Sequence, residues 1–149
     1  MTLACGALTP HETDSWAAFI AALRAAGLPT EDLDEPGQAF FVFRNADRTP
    51  VGFGGYLLAD GNALLRSIVV VPSKRRQGLG SDLLAVLLPL AAASGAQTAW
   101  LLTMDAEGFF ARRGFVRKER AEAPPAIAAA PQFTTVCPAS AVLMCRPLR

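Results

Sequence analysis

At 149 residues, 52% hydrophobic and 18% charged, the chain has the length of one domain and enough apolar material for one ordinary core. A net charge of +1 gives no general attraction to nucleic acid, no apolar stretch reaches the roughly 18 residues of a membrane span, and no basic region precedes an apolar run at the N-terminus; no nucleic-acid partner, no membrane and a cytoplasmic location are expected. Three widely spaced cysteines, Cys5, Cys137 and Cys145, suit neither a disulfide framework nor a zinc site, so no metal is expected and the thiols read as reduced, small buried hydrophobes.

In chain order, Met1–Leu8 can form a first strand. Thr9-Pro10-His11-Glu12 has the form of a capping box with proline at the first helical position and predicts a helix start, with His11 structural or exposed. Trp16, Phe19, Ile20 and Leu23 give that helix one apolar face, and Gly27 stands where its end needs positive φ. Leu28–Pro36 is a proline-bounded loop carrying Glu31, Asp32, Asp34 and Glu35, a pattern that is usually a solvated surface and that can also present carboxylates to a substrate amine. Gln38–Arg44 and Val51–Ala59 read as a hairpin, and Asp60-Gly61-Asn62 turns the chain into a strand over Ala63–Val71, so three consecutive antiparallel strands are predicted. Lys74, Arg75 and Arg76, then Gly78 and Gly80, lead into an apolar helical stripe of Leu79, Leu83, Val86, Leu87 and Leu90 that runs to about Ala93; Pro89 predicts a kink or an early end. Thr98–Thr103 reads as a strand reached by a crossover, hence parallel to Ala63–Val71. A short helix over Ala106–Arg113, a strand over Val116–Arg120, a helix opened by Pro124-Pro125 and a last strand over Ser140–Arg146, able to pair with Val116–Arg120, complete the prediction.

The glycine turn is the chemically informative stretch. A helix N-terminus offers unpaired amides and a partial positive charge, and glycines let an anion come close. A P-loop would need lysine after its last glycine, where Gly80 is followed by Ser81-Asp82, and a dinucleotide fingerprint would need a third glycine where Leu83 stands. Arg75-x-x-Gly78-x-Gly80 behind a hydrophobic strand, followed by Ala-x-x-Phe-Phe-x-x-x-Gly-Phe from Ala106 to Phe115, resembles instead the GNAT N-acetyltransferase superfamily, over most of the chain. Gly27–Leu33, Thr103–Phe115, and Phe133 with Cys137–Ala141 are similar to its arsenic-resistance branch, which implies an arsenic-linked role.

That resemblance implies an α+β fold, an α/β/α sandwich in which a mixed sheet has antiparallel N-terminal strands and a splayed parallel pair, with residues 1–149 as one domain. It implies acetyl-CoA as cosubstrate and a small-molecule amine as acceptor, attacking directly within one ternary complex. Ile68, Val69 and Val70 would bond the pantetheine amides, and Arg75, Arg76, Gln77, Gly78, Leu79, Gly80 and Ser81 would hold the pyrophosphate, with Phe109 and Phe110 also against the cofactor. The Val70 amide would polarise the thioester carbonyl. The family's usual tyrosine acid is Phe110 here and its asparagine is Thr103, so Thr103 or a water would stand in as acid. Glu107 is the nearest carboxylate for a base and equally a helix-start residue favoured by the dipole. Tyr56 reads evenly as core or acceptor site, while Cys137 or Ser140 would touch the acceptor, and a thiol there could meet trivalent arsenic. Two other readings stay open, a non-catalytic acetyl-CoA-binding module and a thiol-based arsenic-binding protein, as does a homodimer.

Overall fold

The computed structural model describes residues 3–74, 78–133 and 140–148. Seven strands form one mixed sheet in the order β1-β2-β3-β4-β5-β7-β6. Its first four strands, β1 (Ala4–Leu8), β2 (Gln38–Arg44), β3 (Pro50–Ala59) and β4 (Asn62–Val70), are successively antiparallel. Asp60 (φ 51°) and Gly61 (φ 75°) close the β3–β4 turn, the two left-handed residues that a two-residue hairpin asks for.

The helix after β1, α1 (Thr13–Ala25), starts later than the capping-box reading expects. The Thr9 amide donates to the Glu12 carboxylate at 3.2 Å and the Glu12 amide donates to the Thr9 carbonyl at 3.1 Å, so Thr9–Glu12 closes a turn of its own and Glu12 precedes the helix. The apolar stripe faces the sheet, as its spacing predicts. Phe19 and Leu23 are fully buried, with Trp16 and Ile20 partly so, against Leu8, Phe40, Val42, Phe53 and Val69 on one face of the sheet.

On the other face, α2 (Leu79–Ala93) buries Leu79, Leu83, Leu84, Leu87, Leu88 and Ala91 over Val51, Tyr56, Leu65, Leu101 and Met144. The approach is close because β3 offers glycine beneath it: a Cβ on Gly52 would lie 2.7 Å from both Leu83 Cδ2 and the Val69 carbonyl oxygen. Of the kink or early end expected at Pro89, the early end does not occur, since α2 runs on to Ala93; Pro89 and Ala85, whose carbonyl loses its helical partner, both lie on the exposed side, where water can bond that carbonyl.

The second half of the sheet is β5 (Thr98–Thr103), β6 (Val116–Lys118) and β7 (Val142–Pro147), with α3 (Glu107–Ala111) and α4 (Pro125–Ala128) between them. β7 inserts between β5 and β6, antiparallel to both. β6 stops short of the expected Arg120 because Glu119 and Glu122 cap each other's backbone and turn Arg120–Glu122 into a 3-10 helix. Ile127 of α4, with Ala130, covers Leu64, Trp100 and Leu143, so helices flank both faces of the sheet. Among the described residues no helix is long and apolar enough to cross a membrane.

Two irregularities of β4 set the shape of the sheet's centre. Its parallel pairing with β5 comprises Asn62–Thr98, Ala63–Ala99 and Leu64–Trp100 and then stops, although β4 continues to Val70 and β5 to Thr103. Further along β4, Ser67 and Ile68 together oppose the single residue Gly54, with Ser67 at φ 58°. This bulge resets the side-chain alternation. Arg66 and Val69 lie towards the α1 side, Leu65, Ile68 and Val70 towards α2.

The Gly52 contact is testable. Gly52→Ala is expected to destabilise the chain by about 1–3 kcal/mol in urea unfolding, the range of core overpacking. Gly6→Ala, whose Cβ would meet nothing nearer than 4.0 Å, is expected to stay within about 0.5 kcal/mol.

Candidate active site

Where β4 and β5 part, the sheet opens into a cleft of about 760 Å³. Leu65 to Ile68 and Val70 form one wall, Leu101 to Ala106 another, and the rim is made by Gly27, Leu28, Pro29 and Glu31 of the loop after α1, by Gly80 of α2 and by Phe109 and Phe110 of α3. The cleft therefore runs from the acidic loop to the N-terminal turn of α2. Gly78 stands at φ 74° ahead of that turn, and nothing lies within 4 Å of where its Cβ would be. Such a helix start exposes amides towards the cleft mouth and can hold an anionic group.

Beside the same turn, Arg113 lies over the Phe109 ring at 3.7 Å from its centroid, donates through Nη1 to the Phe109 carbonyl at 2.7 Å and through Nε to Ser81 Oγ at 3.3 Å. It ties α3 to the first turn of α2 and brings a cation there. Phe109 packs edge-on to Phe110, and Phe110 to Phe115.

A buried charged group forms part of the wall. Arg66, 5% exposed, donates through Nη1 to Asp32 Oδ2 at 2.5 Å and to Gln38 Oε1 at 3.0 Å, and through Nε to Ser67 Oγ at 3.0 Å. Gln38 in turn donates to the Asp32 carbonyl at 2.7 Å. Asp32 is thus not part of a solvated acidic surface, because the guanidinium draws it inward.

The structure brings several predicted residues together and separates others. Ile68, Val70, Gly80, Thr103, Phe109 and Phe110 line the cleft. Thr103 is buried, and its Oγ1 accepts the Ala106 amide at 3.0 Å, capping the start of α3. The side chains of Val69 and Leu79 are buried in the two opposite cores, which leaves their backbone for any role in the cleft. Ser81 is half-buried against Arg113.

Glu107 does not line the cleft; it faces outward and pairs with Arg117 at 3.4 Å. Asp105 and Glu31 are the carboxylate residues on the cleft lining. Tyr56 belongs to the core rather than to an acceptor site: it is 2% exposed beneath α2, with its hydroxyl 3.1 Å from Ser94 Oγ. Ser140 is exposed, and its hydroxyl points to Met104 Sδ at 3.7 Å. Arg75, Arg76, Gln77 and Cys137 lie outside the described residues. Sequence reading missed Arg66, Asp32 as a buried partner, Gln132 and Arg113; only the Phe109–Arg113 spacing of four on a helix was a usable signal.

Comparison with known proteins agrees with this geometry. A family model described as the acetyltransferase (GNAT) family matches residues 8–115. No curated protein sequence matches the chain. Among solved structures, an acetyltransferase of the GNAT family from Staphylococcus aureus Mu50 is similar in fold, with a TM-score of 0.73 at 17% identity over 99% of this chain and 100% of that one. The ribosomal-protein-S18-alanine N-acetyltransferase from Escherichia coli gives 0.70 at 23% identity over 99% of this chain and 94% of that one. N-acetylglutamate synthase from Neisseria gonorrhoeae, complexed with coenzyme A and N-acetyl-glutamate, gives 0.79 at 18% identity over 100% of this chain, which spans only 36% of that one.

Cys5 is exposed and Cys145 half-buried, so neither is the buried hydrophobe the sequence suggests, yet partial loss of water contact pushes both thiols above the ordinary cysteine value. A raised pKa leaves less thiolate at neutral pH. Iodoacetamide labelling of both residues, followed by peptide mass spectrometry, is therefore expected to be slower at pH 7 than that of a free cysteine peptide and to keep rising past the pH at which the peptide levels off.

Proposed function

The chain belongs to the acetyltransferase (GNAT) family and is an acyltransferase; from that premise we propose that it works as a single domain and transfers the acetyl group of acetyl-CoA to the amine of a small molecule by direct attack. The observation that carries this reading is the parting of β4 from β5 after Leu64, which leaves a cleft of about 760 Å³ ending at the N-terminus of α2. That volume lies in the range of small-molecule pockets. Membership of the family sets aside the non-catalytic module.

The lining fits acetyl-CoA. Backbone groups of Ile68, Val69 and Val70 would meet the pantetheine amides along the released edge of β4. The amides behind Gly78 and Gly80, with the dipole of a 15-residue helix, would meet the pyrophosphate, and Arg113 adds charge there. Arg75, Arg76 and Gln77 would join them on the strength of the sequence motif. Phe109 and Phe110 supply apolar contact.

Acetyl transfer forms the new C–N bond and breaks the C–S bond, so the amine must lose a proton and the thiolate gain one. The Val70 amide would support charge on the carbonyl oxygen. Thr103 accepts from Ala106, which leaves its hydroxyl proton directed elsewhere, and it would serve the thiolate in place of the family's tyrosine. Asp105 and Glu31, rather than Glu107, would take the amine proton through water. Alignment supplies more of the acceleration than any one proton donor, on the order of 10⁵ M or higher in effective molarity against about 10²- to 10⁴-fold for the donor, so a phenylalanine at position 110 is compatible with catalysis. The arsenic-linked role rests on the resemblance of Gly27–Leu33, of Thr103–Phe115 and of Phe133 with Cys137–Ala141; Gly27, Leu28, Pro29 and Glu31 of the first and Thr103, Phe109 and Phe110 of the second line this cleft.

Calorimetry with acetyl-CoA tests the cosubstrate. A Cβ on Gly80 would meet Phe109 at 3.5 Å, an ordinary contact, so Gly80→Val is expected to fold and to weaken binding about tenfold or more; unchanged affinity would put the cosubstrate elsewhere. Thiol release on a panel of amines tests the transfer. Thr103→Val is expected to lower kcat by about 10²-fold with the acetyl-CoA KM unchanged, and Thr103→Ser to restore most of it; equal kcat for the two variants would remove Thr103 from the proton path.

A further inference from the structure

A smaller cavity of about 160 Å³ adjoins the cleft and shares Arg66 and Gln132 with it. Asp32 and Gln132 contribute to its lining and are 6% and 7% exposed, yet Asp32 Oδ1 and Gln132 Oε1 have no hydrogen-bond partner among the described residues. An unpaired buried carboxylate oxygen is costly, so the cavity suits an occupant that donates hydrogen bonds. Charge points the same way. Arg66 already spends Nη1 on Asp32 and Gln38 and Nε on Ser67, while Asp32 and Glu35 both border the space, so carboxylates outnumber cations. The remaining walls, Leu57, Leu64, Ala130 and Pro131, are apolar and suit methylenes.

We propose that this cavity is a specificity subsite for a second, cationic amine of the acceptor, so that the preferred substrate class is a diamine: one amine reacts in the cleft while the other sits on Asp32 Oδ1 and Gln132 Oε1. The inference rests on the amine-acetylation reading above. The loop after α1 then selects substrate, since it delivers Asp32, and the acidic run that reads as surface in the sequence is its source.

The test uses the whole protein saturated with coenzyme A, titrated by calorimetry with trimethylene to hexamethylene α,ω-diamines, the matching n-alkylamines and the matching ω-amino acids. At least one diamine is expected to bind about 10- to 100-fold more tightly than its monoamine, the scale of a charge-assisted hydrogen bond. Asp32→Asn is expected to erase that ratio. Should Asp32→Asn fail to fold because it weakens the Arg66 pair, Gln132→Met leaves that pair intact and is expected to reduce the ratio as well. Equal binding of diamines and monoamines would show that water alone fills the cavity and would overturn the proposal, as would tighter binding of the ω-amino acids. Thiol release measured in parallel separates the two levels: diamine-selective binding without thiol release upholds the subsite and sinks the acetyl-acceptor reading, whereas thiol release at equal kcat/KM from diamines and monoamines sinks the subsite alone.

Discussion

A guanidinium buried in a central strand has to be paired, because removing it from water costs several kcal/mol that only good geometry offsets. Arg66 meets that demand with Asp32 from the loop after α1, Gln38 from the first residue of β2 and Ser67 from its own bulge, and its guanidinium lies 5.7 Å from the Phe40 ring centroid. The position of the loop is a consequence: Asp32 is held at 2.5 Å, and Gly27, Leu28, Pro29 and Glu31 come with it to the cleft rim. One ion pair thus fixes which residues of the loop stand at the cleft rim. The bulge belongs to the same arrangement, because it keeps Arg66 on the α1 side of the sheet while returning Ile68 and Val70 to the α2 side.

Elements whose signal is local were legible in the sequence. The β3–β4 turn was visible in Asp60-Gly61, α1 in the spacing of Trp16, Phe19, Ile20 and Leu23, and the parallel placement of β5 in the crossover helix before it. The pairing of β7 with β6 was expected and is found, but its pairing with β5 on the other side was not, since a strand's second neighbour depends on long-range packing rather than on its own residues. At Thr9–Glu12 the predicted side-chain contact did form, but it closed a separate turn, because the same carboxylate-to-amide bond serves either structure.

The candidate site divides along the same line. The glycine turn and the Phe109-Phe110 helix were readable because their chemistry lies in contiguous residues. Arg66 was hidden in an apolar run, and Asp32 in an acidic run indistinguishable from surface; their meaning is the distance between them, across 34 positions of chain. Tyr56 and Glu107 each kept two readings in the sequence for a related reason. Proximity in sequence to the motifs says nothing about the face on which a side chain leaves its strand or helix, and the α2 face took Tyr56 while solvent and Arg117 took Glu107.

The short seam between the two halves of the sheet has a mechanical meaning. Three parallel pairs join β4 to β5, and six residues of β4, Leu65 to Val70, extend beyond them. At about 3.3 Å per residue that is an arm of about 20 Å, so a relative rotation of about 5° at the seam moves its tip by roughly 1.7 Å. The width of the cleft is therefore a leveraged quantity, far more sensitive than the seam that controls it. Substitutions around Ala63 and Ala99, which lie off the cleft lining, gain a route to its width through the angle between two half-sheets.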